Sequence, residues 1–422
     1  MGTTAGAVAL VGSETQKNAE IVDRLLAAGA VILGKTTVSV TNSVIRGSGL
    51  FCGWSATSGQ GQSPYVRGGV DLDDSIGGHS VPGGSSSGVS IAISAGLAAV
   101  GVGSETDSSI TAPAIRASLF AMRPSTGIVS INGTIPVSKT FDVGGPMAKD
   151  ARDVADMLAV LVDPAKATIP SRGYALALKE NWASFKIGTL DPTVWTYPEF
   201  LIKPVPEATE QMVNATLDAY AQLKSLAGEY YENVDLTPVT EFMYNGCHSI
   251  YTILDIELPE VVDEYLSSLP TSPVRSLHEL VEWNKEHAVE ALPTEYPNQD
   301  GLIKALETKL TAEEVEANHQ AYQRAGSNID RIFETYGIDI IAGPGDCFLT
   351  QYAVAKGYPI ATLPLTYLDL NGRPIGLLAI TSRHREDRLL ASMAAYEASF
   401  PTRQAPTAYL AGPSLSETRA QF

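Results

Sequence analysis

Two short loops with adjacent serines contain the residues best suited to chemistry in this sequence. The first, "PGGSSSG" (82–88), sets three serines between glycines just ahead of an apolar run. The second, "GSETDSSI" (103–110), places Ser108 and Ser109 directly after a predicted strand. Glycine-rich backbone can turn several N–H groups toward one anion, either a bound phosphate or the charge that develops during acyl transfer. The pattern therefore indicates an anion-stabilising site with serine hydroxyls beside it.

Three interpretations of the first loop are open from the residues alone. Serine and glycine also build tight turns and helix caps that have no part in catalysis. A phosphate loop is disfavoured, because neither serine loop contains Lys, Arg or the GxxxxGK[ST] pattern. Nucleophilic catalysis is the third interpretation, and it requires a base, because a serine hydroxyl is a weak nucleophile until its proton is removed.

One form of nucleophilic catalysis makes a specific prediction about three residues. Residues 84–88 match G-x-S-x-G, the nucleophile elbow of α/β-hydrolases, and Ser86, Asp346 and His384 follow in the chain order of that fold. An elbow must follow a strand, however, and "DSIGGHSVPG" (74–83) has no strand pattern. We therefore disfavour the elbow.

The composition indicates a globular, acidic protein. Of the 422 residues, 44% are hydrophobic and 18% are charged, which is enough apolar material for a sizeable core. The formal net charge of -18 argues against nucleic acid or an anionic membrane as a partner. Three widely separated cysteines suggest neither a disulfide framework nor a metal site. Without a basic leader or an apolar span of ~18 residues, we expect a cytoplasmic protein.

The segments around the loops alternate between predicted strands and helices. Residues 30–34 ("AVILG") and 97–103 ("LAAVGVG") are predicted as buried strands, and residues 87–96 as a closely packed helix of small residues. A further helix is predicted after Asp150, a residue type that caps helix N-termini. Apolar, strand-like runs return near the C-terminal end of the sequence, namely "IDIIAGP", "YPIATLPL" and "RPIGLLAIT".

The middle of the sequence differs from both ends. Residues 165–330 are richer in Glu, Lys and Tyr and contain long amphipathic helical patterns. We predict one domain over residues 1–422, with an α/β core formed by residues 1–164 and 331–422. Residues 165–330 are then a mainly helical insertion on the substrate side of that core.

The stretch from Gly78 to Ser130, "GHSVPGGSSSGVS…SETDSSITAPAIRASLFAMRPSTGIVS", resembles the core signature of the amidase signature family. The resemblance is to members whose second loop reads G-T-E-T-D-G-S-I. Flanking segments agree with the same family: "TTAGAVALVGSETQKNAEIVDRLLAAGAVILGKT", "GWSATSGQGQSPYV", "FDVGGPMAKDARDVADML" and "GYPIATLPLTYLDLNGRPIGLLAIT". The resemblance implies an α/β fold with a mixed central β-sheet flanked by helices.

The resemblance also implies a serine–serine–lysine mechanism. Ser109 matches the nucleophile that forms the acyl-enzyme, and Ser85 matches the bridging serine, which lies on a cis peptide bond and relays the proton. Backbone amides would form the oxyanion hole at Thr106, Asp107, Ser108 and Ser109. Loop support is expected from Gly83, Gly84 and Ser86.

The sequence departs from the family pattern at the base. In the family the catalytic lysine lies shortly before T-T-A-G, which here is residues 3–6. We therefore expect either that Met1 is an internal methionine of a longer protein, or that the chain is naturally short and its cavity serves another purpose. Lys35 is a weaker candidate for the base, and we expect it to be a surface residue at a strand end. His79 is a weaker candidate for a catalytic role, and we expect it to be structural or to line the pocket. Ser108 replaces a family glycine, and its side chain is expected to crowd the oxyanion hole.

These observations lead to three functional hypotheses. The first is an amidase-type hydrolase or acyltransferase that acts on a non-peptide C–N bond of a small molecule. The second is a fold without the catalytic lysine that binds a small molecule or catalyses a non-hydrolytic step, such as cyclisation, in specialised metabolism. The third is an inactive, truncated relative. None of them requires a metal or an organic cofactor, and a homodimer is a further expectation.

Overall fold

Helices and strands alternate along the chain in a computed structural model, which describes residues 1–39, 49–170, 173–237 and 239–406. The α-helices of this part are α1 (Glu20–Ala27), α2 (Ser87–Ser94), α3 (Thr111–Ile115), α4 (Ala151–Leu161), α5 (Pro206–Leu226), α6 (Ser249–Ser268), α7 (Leu277–Glu286), α8 (Ala288–Ala291), α9 (Asp300–Glu307), α10 (Ala312–Gly326), α11 (Asn328–Tyr336), α12 (Leu349–Lys356) and α13 (Glu386–Ser399). Its β-strands are β1 (Trp54–Ser55), β2 (Gly59–Gln60), β3 (Val100–Glu105), β4 (Phe120–Arg123), β5 (Val143–Ala148), β6 (Lys186–Thr189), β7 (Glu229–Tyr231), β8 (Met243–Tyr244), β9 (Cys247–His248), β10 (Ile340–Pro344), β11 (Ile360–Tyr367) and β12 (Pro374–Ile380).

Most of the longer strands belong to one mixed sheet. Within the described ranges this sheet has eight strands, in the spatial order β3, β5, β4, β11, β12, β10, β6, β7. Strand β6 is parallel to both of its neighbours, and the other pairs are antiparallel. The predicted mixed central sheet flanked by helices is therefore confirmed.

Both faces of the sheet are covered by helices, which explains the uninterrupted apolar runs of the central strands. In β12, Leu377 packs into one core with Leu158 of α4 and Leu389 of α13. The next residue, Leu378, points to the opposite face and packs with Tyr352 of α12. Because successive strand residues face opposite sides, a strand that is buried on both faces must be apolar throughout.

Several elements lie where the sequence predicts them. The helix of small residues near the first serine loop is α2, and the strand-like C-terminal runs are β10, β11 and β12. The carboxylate of Asp150 accepts a hydrogen bond from the N–H of Asp153 at 2.7 Å, so Asp150 caps α4 as expected.

The predicted strand at residues 30–34 is wrong. Val31 and Leu33 are 81% and 70% exposed, and the segment pairs with no strand of the described residues; Ile32 alone among its apolar residues packs against the core. An apolar run forms a strand only where a neighbouring backbone takes up its N–H and C=O groups. The strand predicted at residues 97–103 begins later, at Val100, and corresponds to β3. Within the described residues β3 is an edge strand of the sheet, and Leu97, which precedes it, is 72% exposed.

Residues 165–330 include the helices α5 to α10. The same region also supplies β6 and β7 at one end of the central sheet. These strands are only four and three residues long, too short to give a recognisable pattern in the sequence. No helix in the described ranges combines the length and apolar character needed to cross a bilayer.

Candidate active site

The first serine loop packs directly against the second one. Gly83 adopts a positive φ of 74°, and a Cβ atom there would lie 2.9 Å from the Cα of Pro113 in α3. A Cβ at Gly84 would lie 2.8 Å from the hydroxyl of Ser39. The Gly84–Ser85 peptide bond is cis, as the resemblance implies. The predicted loop glycines therefore allow a close approach that side chains at these positions would obstruct.

Ser86 joins the two loops through its backbone and its side chain. Its N–H donates to the carbonyl oxygen of Ser109 at 3.0 Å. Its hydroxyl donates to the carbonyl oxygen of Ser104 at 2.9 Å and accepts from the N–H of Ser104 at 3.1 Å. These bonds hold the first loop against the end of β3. Because Ser86 is bonded to Ser109, its chain neighbour Ser85 also lies near the second loop.

The nucleophile-elbow alternative gains no support from the contacts of its three residues. The Ser86 hydroxyl is engaged by β3, and the Asp346 carboxylate forms ion pairs with two arginines. The N–H of His384 donates to the hydroxyl of Ser125. Among the described residues no hydrogen bond joins any two of Ser86, Asp346 and His384.

Ser109 lies at the turn that leads into α3. Its side chain is buried, with the residue 4% exposed, and its hydroxyl makes a long contact of 3.4 Å to the carbonyl oxygen of Asp107. The carbonyl oxygen of Ser108 accepts from the N–H of Ala112 at 2.8 Å. Ser108 has a φ of 60°, the left-handed conformation that the family glycine would adopt without cost. The substitution therefore keeps the loop conformation in spite of the side chain.

The N–H groups of the second loop fall into two sets. The N–H groups of Ile110 and Thr111 donate to Oε2 of Glu105 at 2.7 and 3.0 Å. The N–H groups of residues 107–109, in contrast, donate no hydrogen bond to any described residue. Unbonded N–H groups beside a serine hydroxyl can stabilise an oxyanion.

A buried ion pair between Arg123 and Glu105 packs against the second serine loop. Arg123 and Glu105 are both inaccessible to solvent, and Nη1 of Arg123 lies 3.7 Å from Oε1 of Glu105. The guanidinium also donates to the carbonyl oxygens of Glu105 and Phe141 at 3.1 and 2.9 Å. Thr106 is held separately, because its hydroxyl donates to Asp142 at 2.6 Å. This pair was not predicted, although the charge of Arg123 within the apolar run "LFAMRPS" is a signal in the sequence that could have indicated it.

The hydrogen bonds of Lys35 go to neither Ser85 nor Ser109. Its ammonium donates to the hydroxyl of Thr3 and to the carbonyl oxygen of Met1, the latter at 3.4 Å. Residues 29–36, "GAVILGKT", formally match the phosphate-loop pattern, which the serine loops do not. No strand precedes this segment in its immediate neighbourhood and no helix begins within residues 34–39, so the match lacks its structural context.

His79 is buried, and it contacts neither serine by a hydrogen bond. Burial, together with the nearby charges of Arg373 and Arg116, lowers its pKa to about 4. The imidazole is therefore neutral at pH 7. Neither ring nitrogen has a hydrogen-bond partner among the described residues. This environment is that of a buried structural histidine beside the loop.

A second buried charge cluster connects three elements near the site. Arg116, which follows α3, lies 3.2 Å from Oδ1 of Asp346, and Arg373, which begins the approach to β12, lies 2.7 Å from Oδ2. Burial alone would raise the pKa of Asp346, but the two guanidinium groups overcome it and hold this pKa well below its usual range. This cluster was not predicted, because its members are far apart in the chain. In the described ranges no group of three or more His, Cys, Asp or Glu side chains is arranged to hold a metal ion.

The known proteins that this chain resembles are amidases and related amide hydrolases. The family model described as Amidase matches residues 1–346. A probable amidase of Arabidopsis thaliana is 29% identical over 417 residues, an alignment that covers 96% of this chain and 75% of the relative. Mandelamide hydrolase of Pseudomonas putida is 25% identical over 362 residues, covering 85% of this chain and 63% of that enzyme.

Solved structures are similar over almost the whole chain. The native peptide amidase from Stenotrophomonas maltophilia has a TM-score of 0.79 and 28% identity, covering 96% of this chain and 81% of that one. An amidase family protein from Bacillus anthracis str. Ames has a TM-score of 0.81 at 24% identity, with 96% and 76% covered, a likeness of fold. With the family match over residues 1–346, these findings show that the chain belongs to the amidase family, hydrolases of amide C–N bonds.

Proposed function

We propose that this protein hydrolyses a small-molecule amide, or transfers its acyl group, with Ser109 as the nucleophile and Ser85 as the bridging serine. The observation that carries this proposal is the set of free N–H groups at residues 107–109 beside the buried Ser109 hydroxyl. The neighbouring N–H groups of Ile110 and Thr111 are already bonded to Glu105, so the donors that could serve an oxyanion are those of residues 107–109.

The proposed reaction has two balanced steps. The Ser109 oxygen attacks the amide carbonyl carbon, and its proton passes to Ser85 while the proton of Ser85 passes to the leaving nitrogen. The C–N bond breaks, the amine leaves, and an ester forms on Ser109. Water then attacks the ester, and its proton returns through Ser85 to the Ser109 oxygen. The N–H groups at residues 107–109 stabilise the negative charge on the carbonyl oxygen in both steps.

The base is the part of this mechanism that distinguishes the two principal hypotheses. The family resemblance implies a lysine that removes the proton of Ser85, and the contacts of Lys35 to Thr3 and Met1 do not favour Lys35 in that role. Without such a base the same loops would suit the second hypothesis, in which the site binds a small molecule or guides a non-hydrolytic step. The coding sequence upstream of Met1 tests the difference, because a lysine-bearing segment there would complete the mechanism.

A fluorophosphonate probe tests the role of Ser109 directly. We expect labelling of the protein to be lost in Ser109→Ala and retained in Ser104→Ala, a matched control whose side chain is exposed on β3. Ammonia release from a panel of peptide amides and aryl carboxamides, chosen because relatives include a peptide amidase and a mandelamide hydrolase, should follow the same pattern. Amide hydrolysis that survives Ser109→Ala would overturn the proposal.

A further inference from the structure

A chain of buried hydrogen bonds connects the helical region to the second serine loop. The hydroxyl of Tyr322 in α10 donates to Oε1 of Gln351 in α12 at 2.9 Å. The Nε2 of Gln351 in turn donates to Oδ2 of Asp107 at 2.5 Å. Tyr322 and Gln351 are each 1% exposed. The carboxylate of Asp107 is therefore tied to two helices outside the loop.

The partners of Gln351 determine which way its amide faces. A phenol hydroxyl can donate or accept, so it can bond either atom of the amide. An ionised carboxylate only accepts, so the amide atom facing Asp107 must be the nitrogen. A flipped amide would place its oxygen against a carboxylate oxygen, with no hydrogen between them. Asp107 therefore selects the orientation of the Gln351 amide, and in that orientation the Tyr322 hydroxyl donates to Oε1.

A second group of contacts reaches the other oxygen of the same carboxylate. The Ser108 hydroxyl lies 3.0 Å from Oδ1 of Asp107, and the Thr350 hydroxyl lies 3.3 Å from it. The two hydroxyls are also 2.8 Å apart. Each hydroxyl has a single hydrogen, so the shorter contacts select Thr350 donating to Ser108 and Ser108 donating to Asp107. Gln351 of α12 thus bonds Oδ2 of Asp107 directly, and its neighbour Thr350 bonds the Ser108 hydroxyl that holds Oδ1.

We propose that Gln351 is a positioning residue for the nucleophile loop: by holding the Asp107 carboxylate it fixes the direction of the N–H groups at residues 107–109. The inference rests on the proposed function, because the value of those N–H groups lies in stabilising an oxyanion. Tyr322 acts through Gln351, so the helical region contributes to loop geometry without touching the serines. Burial and the neighbouring Glu105 raise the pKa of Asp107 to about 6, which the bonds from Ser108 and Gln351 oppose.

The first readout does not require turnover. We expect the bonded amides of residues 110–112 to exchange with deuterium about tenfold faster in Gln351→Leu than in the wild type, because loop opening becomes easier. The matched control is Gln299→Leu: Gln299 is also buried, and both ends of its amide are bonded, to Asn284 and Val281. The control should lose stability without faster exchange at residues 110–112. Equal exchange in Gln351→Leu and the control would overturn the proposal.

The second readout uses the reaction. In Gln351→Leu, we expect kcat to fall about tenfold or more while KM changes by less than about threefold, because orientation matters most in the transition state. Tyr322→Phe, which keeps the ring packing, should show a smaller fall, and adding it to Gln351→Leu should cause no further loss. Additive losses would contradict a chain through Gln351. If the wild type neither labels nor hydrolyses amides, the proposed function fails, whereas the exchange readout still decides whether Gln351 holds the loop.

Discussion

The N–H of Ser86 donates to the carbonyl oxygen of Ser109 at 3.0 Å, and this bond makes one site of two loops that are separate in sequence. Ser86 also holds Ser104 through its hydroxyl, so the same residue fixes the first loop to β3 and to the turn before α3. Ser85 and Ser109 are thereby placed on adjoining backbone segments. The arrangement leads to predictions about the serines and about the buried charges that support them.

The two serines should act as a unit. Ser109→Ala and Ser85→Ala are each expected to lower kcat for amide hydrolysis on the order of a thousandfold or more, and the double variant should be little worse than either. Steady-state rates of ammonia release measure the effect. Ser90→Ala, which removes a buried hydroxyl bonded within α2, is the control and should retain activity.

Breaking the buried Arg123–Glu105 ion pair should destabilise the fold. Arg123→Met leaves the Glu105 carboxylate buried without its cation, and we expect a loss of about 3–5 kcal/mol in the free energy of unfolding. Urea titration measures this loss. Adding Glu105→Gln should recover part of it. Arg152→Met, which removes one partner of an exposed pair, should change stability little, and an equal effect of the two substitutions would contradict the prediction.

Asp346 should stabilise the fold in a pH-dependent way. Its pKa in the folded protein is lowered, so its contribution is present above the unfolded value near 3.8 and is lost as the pH falls below it. At pH 7, Asp346→Asn should cost about 3–5 kcal/mol, because two buried guanidinium groups lose their carboxylate. The difference from the wild type should shrink below about pH 4. If urea titrations give the same difference in unfolding free energy between the two proteins at pH 7 and below about pH 4, the prediction is wrong.

Asp107 should show the opposite dependence. Burial and Glu105 raise its pKa in the folded protein from 3.8 to about 6, so the folded state binds a proton more tightly than the unfolded state. Stability due to this group therefore falls as the pH rises from about 4 to about 6. In Asp107→Asn that decline should be absent. Urea midpoints measured for both proteins at several pH values across this window provide the check.

Local signals account for the parts of the structure that could be predicted. The cap at Asp150 and the helix it begins depend on residues within one turn of each other, and the apolar runs of β11 and β12 report burial on both faces. The serine loops were also identified, because glycine and serine at close spacing indicate their own backbone geometry. The exposed segment 30–34 shows the limit, since an apolar run does not reveal whether a partner strand lies beside it.

The sequence by itself determined the amidase-like serine loops, the mixed α/β character and the helical middle region, because each is encoded by residues close together in the chain. Only the tertiary structure decided that Glu105 and Arg123 support the second serine loop and that Gln351 faces Asp107. Gln351 and Asp107 are 244 positions apart, and their bond depends on the packing of α12 against that loop. The physical reason is that a buried polar group must find its partner in space, and no local pattern specifies which distant residue that will be.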